Sequence, residues 1–317
     1  MAVMIHEQEL EVDIAEELEP YLDAFPKYKV RGNKLQACSP FREENTPSFA
    51  VNMDDGTWID SGAYDEDWRK GNFIKLLSFL MGVTYDEARD YLLEKYRTIY
   101  SDMDSFKLDI WLPEIDAPYR IVTKEELEPY MYRNPYLTNR GITEKVQRAF
   151  KIGYDRDKQA IVFCWFDKHG EIINLKFRSI RDKRFWYLED GQKIKQHIFG
   201  LHFIFKLKLK RVFAVESETD ALYLWSHGIP AIAFGSASMS KQQEKLLLNS
   251  PIEELVIATD NDNAGYRFRK DLEKRLMGKL ALSLMPIPYG LKDVNDIAPN
   301  RLKEATDKVE RLTPSFL

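Results

Sequence analysis

Short apolar runs punctuate the last third of the chain, and each one ends on acids. Val212 to Val215 and Leu255 to Ala258 are apolar and rich in β-branched residues, the pattern of parallel strands buried on both faces. The first run meets Glu216 and Asp220 in VFAVESETDAL, and the second meets Asp260 and Asp262 in LVIATDNDNAG. A third acidic group, Asp293 and Asp296, closes LKDVND. After Glu216 the apolar positions Ala221, Leu222, Leu224 and Trp225 fall at helical spacing, and a second helix is predicted over Ala264 to Met277, starting near Gly265. A repeated strand, acid, helix rhythm predicts an α/β fold, in which these acids converge in the crevice beyond the carboxyl ends of the strands.

Taken singly, each acid reads as a helix N-cap or a first-turn charge favoured by the helix dipole. Taken together, they offer the carboxylate oxygens that magnesium prefers alongside water and phosphate. The pattern therefore predicts a metal site, with capping as the competing account.

The preceding stretch changes the electrostatic picture. The whole chain of 317 residues carries a formal charge of −5, yet residues 168 to 211 hold twelve Lys and Arg against four acids. Such a local excess suits phosphates. Phe177, Phe185, Trp186 and Tyr187 interleave with the cations, as in surfaces that bind single-stranded bases and backbone together. Phe177 reads better as a core residue, and Trp186 fits either role. The opening from Met1 to Asp23 has eight acids and no Lys or Arg. It reads as a solvated helix face or arm, with phosphate mimicry towards a basic partner as the sharper alternative.

Composition allows two or three domains with real cores. Two cysteines imply a reducing compartment without a disulfide framework. No apolar run approaches membrane-spanning length, and the acidic opening is unlike a signal peptide, so a cytoplasmic protein with no membrane partner is expected. No G-x-x-x-x-G-K-[ST] motif occurs, so any helicase involved is expected to be a separate protein. Thr84 and Glu87 form a capping-box pattern before one predicted helix, and another is expected from Asn72.

The run V-E-S-E-T-D-A-L, the D-N-D-N-A-G and the K-D-V-N-D resemble, in order and spacing, the TOPRIM domain of primases, topoisomerases and some nucleases. Ser217 stands where that family usually has glycine. The segments RGITEKVQRAFKIGYD, AIVFCWFDKHGEIINLKFRS and RFWYLEDGQKIKQHIFGLHFI resemble the basic half of the catalytic core in phage helicase-primases and DnaG-type primases. Further upstream, ACSPFREENTPSF and its KGNFIKLLSFL continuation resemble the zinc ribbon that precedes primase cores. In the alignment, Ser39, Arg42, Asp60 and Ala63 occupy the positions of the family's Cys, His, Cys and Cys, and Cys38 is one residue out of register. A four-ligand zinc site is thus not expected. Phe41, Phe49, Val51, Trp58 and Ile59 are the expected substitute core, packed against the following helices.

The resemblance implies an α/β TOPRIM-type primase catalytic core preceded by a small α+β zinc-ribbon-like module lacking zinc ligands. Its expected divisions are 1–100 for the acidic opening, module and helices, a linker at 101–120, the basic half of the core at 121–210, TOPRIM at 211–300 and a C-terminal helix at 301–317. It implies RNA primer synthesis on a single-stranded DNA template from ribonucleoside triphosphates, with Mg2+ or Mn2+ and no zinc. Glu216, Asp260 and Asp262 are the implied catalytic acids. The implied metal shell is Glu216, Asp220, Asp260, Asp262, Asp293, Asn295 and Asp296. Lys176, Arg178, Arg181, Lys193, Lys195 and Lys292 are the implied nucleotide or DNA contacts. A TOPRIM nuclease and a silent single-stranded-DNA-binding replication factor are the rival readings.

Overall fold

A computed structural model describes residues 2–5, 8–96 and 120–313. The expected linker therefore lies outside the described residues, apart from Arg120. The chain divides into two compact units, one within residues 1–120 together with 182–184, the other within 121–181 and 185–317.

In the first unit a hairpin of β1 (Ala2–Ile5) and β2 (Gln8–Glu11) precedes helix α1 (Ile14–Leu18). Five antiparallel strands follow in sequential order: β3 (Lys29–Arg31), β4 (Lys34–Ala37), β5 (Phe49–Asn52), β6 (Trp58–Asp60) and β7 (Lys70–Gly71). Helices α2 (Phe73–Met81) and α3 (Tyr85–Tyr96) complete the unit. Asn72 caps α2 through the Lys75 amide, and Thr84 and Glu87 exchange both bonds of the predicted capping box at the start of α3. Phe41, Phe49, Val51 and Trp58 are buried with Trp68, Phe73 and Leu77 in one core. Ile59 is not, at 47% exposed, because strand alternation sends Trp58 and Asp60 inward and Ile59 out. The acids of the opening are not all solvated either. Glu17 is buried and accepts hydrogen bonds from Lys95 Nζ and Tyr96 Oη on α3, at 2.7 and 2.8 Å.

Three of the four positions aligned with zinc ligands meet in a polar network. Arg42 Nη2 donates to Asp60 Oδ1 at 2.8 Å and to Ser48 Oγ at 2.6 Å, while its Nη1 faces Glu44 at 2.5 Å. Glu44 in turn accepts the Ser39 amide at 2.6 Å, and Asp60 Oδ1 accepts the Gly62 amide at 3.1 Å. Burial alone would raise the pKa of the Asp60 carboxyl, but hydrogen bonds from Arg42 and Ser39 outweigh it and hold the group below its ordinary range. A charge-assisted cross-link thus joins the loop after β4 to the end of β6.

The second unit opens with short helices α4 (Lys124–Leu127), α5 (Pro135–Asn139) and α6 (Glu144–Ala149). A four-stranded antiparallel sheet follows, built from β8 (Gly153–Asp155), β9 (Ala160–Phe166), β10 (Ile172–Ser179) and β11 (Phe185–Tyr187) in the order β11-β10-β9-β8. Every residue of β9 is buried because its faces serve two cores: Ile161, Phe163 and Trp165 point to one, and Val162, Cys164 and Phe166 to the other. Phe177 belongs to the second core, as its sequence context predicts. Trp186 stacks flat on it at 5.6 Å between ring centroids.

Helix α7 (Leu201–Leu207) leads into a second five-stranded sheet. Its strands are β12 (Arg211–Val215), β13 (Ala231–Ala233), β14 (Glu254–Ile257), β15 (Ala281–Leu284) and β16 (Glu310–Arg311), in the order β13-β12-β14-β15-β16 and parallel except for β16. Val212 and Ala214 face one core and Phe213 and Val215 the other, the two-sided burial predicted from their continuous apolar run. Helices α8 (Glu218–Ser226), α9 (Lys241–Leu248), α10 (Asn263–Leu276) and α11 (Pro299–Asp307) surround it. The expected terminal helix is displaced: α11 starts at Pro299, whose fixed φ suits a first helical turn, and stops at Asp307, after which the chain pairs with β15. Among the described residues no helix is long and apolar enough to cross a membrane.

The Arg42–Asp60 link generates a prediction. Asp60→Asn is expected to cost the first unit roughly 3 kcal/mol, the low end for breaking a buried pair, since Glu44 still faces Arg42. Because the folded Asp60 pKa is depressed, its contribution is present above the unfolded carboxylate value near ~3.9 and fades as pH falls through the lower folded value. Urea unfolding should therefore show a gap between parent and variant at pH 7 that narrows below about pH 4. An equal gap at every pH would contradict the assignment.

Candidate metal and nucleotide site

The acids are assembled by the parallel sheet. Glu216 follows β12, Asp260 lies beyond β14, and the Asp293 turn follows β15, so adjacent strand ends deliver all three acidic groups to one edge. Burial grades outward from Asp220, at 4% exposure, through partly covered Glu216, Asp260 and Asp293 to exposed Asp262 and Asp296.

Local bonds fix each position. Glu216 Oε1 accepts the Asp260 amide at 3.0 Å, which ties the first acidic turn to the second. Gly265 allows this approach: a Cβ there would sit 2.1 Å from the Asp260 carbonyl oxygen and 2.9 Å from Glu216 Oε1. Ser217 takes the family's glycine position without strain, in extended backbone at φ −104°, and caps α8. Its Oγ donates to Asp220 Oδ2 at 2.5 Å and accepts the Asp220 amide at 3.3 Å. Asp262 Oδ1 caps α10 through the Gly265 amide, and Asp293 Oδ1 accepts the Asp296 amide. The capping account holds for two of these acids: one oxygen of Asp262 and one of Asp293 start a helical turn.

Crowding shows in the protonation equilibria. Burial, then the charges of Asp262 and Asp220, push the Glu216 carboxyl up to about 7 against the favourable Asp260 amide. Burial with Asp293 and Asp260 pushes Asp220 to about 8, and burial with Glu216 pushes Asp260 to about 8. Asp293 is raised by burial and by Asp296. Carboxylates that resist ionising beside one another are the donor set a divalent cation stabilises, so the residues fit such an ion. As the side chains stand, however, no group of three or more His, Cys, Asp or Glu among the described residues is gathered closely enough to hold a metal. The expected seven-residue shell is not assembled. Asn295 in particular turns its side chain to Arg140, accepting from Nε at 2.8 Å and donating to the carbonyl at 2.9 Å. Asp296 Oδ2 is bound to the Lys292 amide.

The expected basic contacts divide. Lys292 Nζ lies 4.0 Å from Asp260 Oδ2 with its side chain 65% exposed, at the mouth of the acidic cluster. Lys195 bonds to Ser236 Oγ and to both oxygens of Ser238, beyond the end of β13. Arg181 is bound to Gln159 at the open end of the β9–β10 pair, away from the connecting turn, and Arg178 is half-buried on β10 opposite Ile161. Lys193 precedes a turn of 3-10 helix. Lys176 departs most from expectation. It is buried, and Glu218 holds its ammonium at 2.9 and 3.1 Å. Sequence-local charge excess is not spatial excess here, since Lys210 and Arg211 also pair with Glu253 and Glu254.

Arg140, Glu218 and Trp165 were not singled out by sequence reasoning, and only the E-S-E spacing of Glu216 and Glu218 hinted at the second of them.

Comparison with known proteins matches residues 213–298 to the Toprim-like family. The DNA primase of Clostridium acetobutylicum is 25% identical over 330 aligned positions, covering 88% of this chain and 54% of that protein. The DNA primase of Thermotoga maritima is 24% identical, covering 99% of this chain and 62% of that protein. The chain thus spans little more than half the length of these curated relatives. The crystal structure of the zinc-binding and RNA polymerase domains of Aquifex aeolicus primase shares the fold, with a TM-score of 0.50 at 20% identity over 95% of this chain and 84% of that one. Strand order, acidic turns and sequence likeness agree: residues 213–298 resemble a Toprim-like domain, and the chain as a whole is similar to bacterial DNA primases.

Proposed function

We propose that this chain synthesises short RNA primers on single-stranded DNA from ribonucleoside triphosphates, as a nucleotidyltransferase of DNA replication. The observation that carries this reading is the crowded, mutually repelling set of Glu216 and Asp260, at the ends of adjacent parallel strands, with buried Asp220 on the first turn of α8, in a Toprim-like domain. Glu216, Asp260 and Asp262, with Asp293, would hold magnesium or manganese. When bound, such ions neutralise triphosphate charge and polarise attacking and leaving oxygens. Glu216, whose carboxyl is poised near neutrality, is suited to accept the proton of an attacking 3′ hydroxyl. Asp260 and Asp262 would hold the ion that the incoming phosphates need, and Lys292, 4.0 Å from Asp260 Oδ2, stands where a triphosphate would approach them. Arg178, Arg181, Lys193 and Lys195 extend the phosphate track towards the template. The first unit supports template engagement, Arg42 and Asp60 holding it without zinc. Unwinding is left to a separate replicative helicase.

A priming assay with single-stranded template, Mg2+ and labelled ribonucleotides tests the reading. Labelled oligomers are expected, and Glu216→Gln or Asp260→Asn should reduce them by at least 100-fold, the scale of losing a catalytic acid or base. Template cleavage without incorporation would replace the primase reading with that of a nuclease. Neither product from a well-folded parent would leave a binding factor.

Elemental analysis of purified protein is expected to find far less than one zinc per chain. Stoichiometric zinc would overturn the role given to Arg42 and Asp60.

A third expectation concerns pH. Glu216, Asp220 and Asp260 bind protons more tightly folded than unfolded, so their stabilising effect is complete below the unfolded values near ~4 and is lost as pH rises through about 7 to 8. The metal-free protein should melt progressively lower from pH 5 to 8, and Mg2+ should recover the loss most strongly at pH 8 while releasing protons. A melting temperature insensitive to both pH and Mg2+ would contradict the cluster's protonation.

A further inference from the structure

The buried contact between Lys176 and Glu218 is not explained by phosphate binding. Register decides where Lys176 goes: on β10 it lies opposite Phe163, whose side chain belongs to the core shared with the Toprim sheet. Its ammonium reaches both oxygens of Glu218, at 2.9 and 3.1 Å, and the Gly235 carbonyl at 3.4 Å. Trp165 Nε1 on β9 donates to Glu218 Oε1 at 3.1 Å. Lys176 and Glu218 are 6% and 4% exposed, and Trp165 is fully buried. Gly235 completes the packing: at φ +78° it has no side chain, and a Cβ would meet the Trp165 ring at 2.9 Å.

Four elements therefore meet at one ion pair. Glu218 is the first residue of α8, two places after Glu216 and next to the cap Ser217. The Gly235 amide, in turn, donates to the Glu216 carbonyl at 3.0 Å. The pair thus grips the Glu216 turn from its helical side and, through Gly235, from the neighbouring strand end. Burying two charges is costly, and a hydrophobic pair of similar volume stabilises a fold as well or better. What the ion pair adds is direction, because two oxygens and an ammonium fix one orientation where apolar contact permits several.

We propose that Lys176 and Glu218 are a positioning pair that sets the Glu216 turn for divalent metal binding, and that Lys176 acts through Glu218, not on nucleotide. This rests on the metal-holding role given to Glu216 above, and its main readout needs no catalysis. Binding of Mn2+ to the full chain, without template or nucleotide, is measured by electron paramagnetic resonance of the free ion. Glu218→Gln keeps an acceptor for Trp165 but removes the counter-charge of Lys176. It should weaken Mn2+ binding by about 10-fold, the scale of losing a residue that orients metal ligands. Because a lone buried ammonium is strongly destabilising, the double substitution Lys176→Met with Glu218→Leu is the second arm. It is expected to melt within a few degrees of the parent and still bind Mn2+ about 10-fold more weakly. Parental affinity in the folded double variant would overturn the proposal, as would an unchanged Mn2+ affinity in Lys176→Met accompanied by a raised nucleotide KM. Failure of the parent to prime, with the Mn2+ differences intact, would remove the primase reading and leave the positioning pair standing.

Discussion

Mutual repulsion among crowded, partly or wholly buried carboxylates is the constraint around which the second unit is organised. Glu216, Asp220 and Asp260 cannot ionise together cheaply, and burial makes each charge costlier. The fold nonetheless brings them to one edge by three parallel strands, a β12–β14–β15 register that aligns the strand ends. Positive groups soften the strain without cancelling it: Lys292 lies beside Asp260, and Arg140 lowers the Asp293 carboxyl slightly. An arrangement that holds like charges together against their preference is the usual sign of a site whose stabilising partner arrives from outside.

The two-sided apolar runs of β12 and β14 made the parallel sheet legible in the sequence, since no polar alternation was present to suggest a solvent face. The acids at their ends were legible for the same reason. Lys176 was not. Its segment is apolar on both sides, and a single lysine there looks like a cation lifted out of a strand. Only the β9–β10 register, with its irregularity between Ile172 and Asn174, decides which face it joins. Ile59 failed for a related reason, because an apolar side chain on a three-residue strand carries too little pattern to reveal its face.

In the first unit a polar network does the work of a cross-link. Ser39, Arg42 and Asp60 bring the loop after β4 to the end of β6 through an ion pair and shared hydrogen bonds. The sequence did not announce this network, because Glu44 and Ser48, which complete it, were not among the residues compared with metal ligands.

The capping bonds of Asp262 and Asp293 have a consequence for how descent would appear in this lineage. Each starts a helical turn with one oxygen, so selection for folding alone would retain both long after any reaction had ceased. Asp260 is different: its carboxylate begins no helix, and the cation beside it is Lys292 at 4.0 Å. Relaxed selection would erode Asp260 first, which makes that residue, more than the D-x-D pair as a whole, the place to look for a retired member of the group.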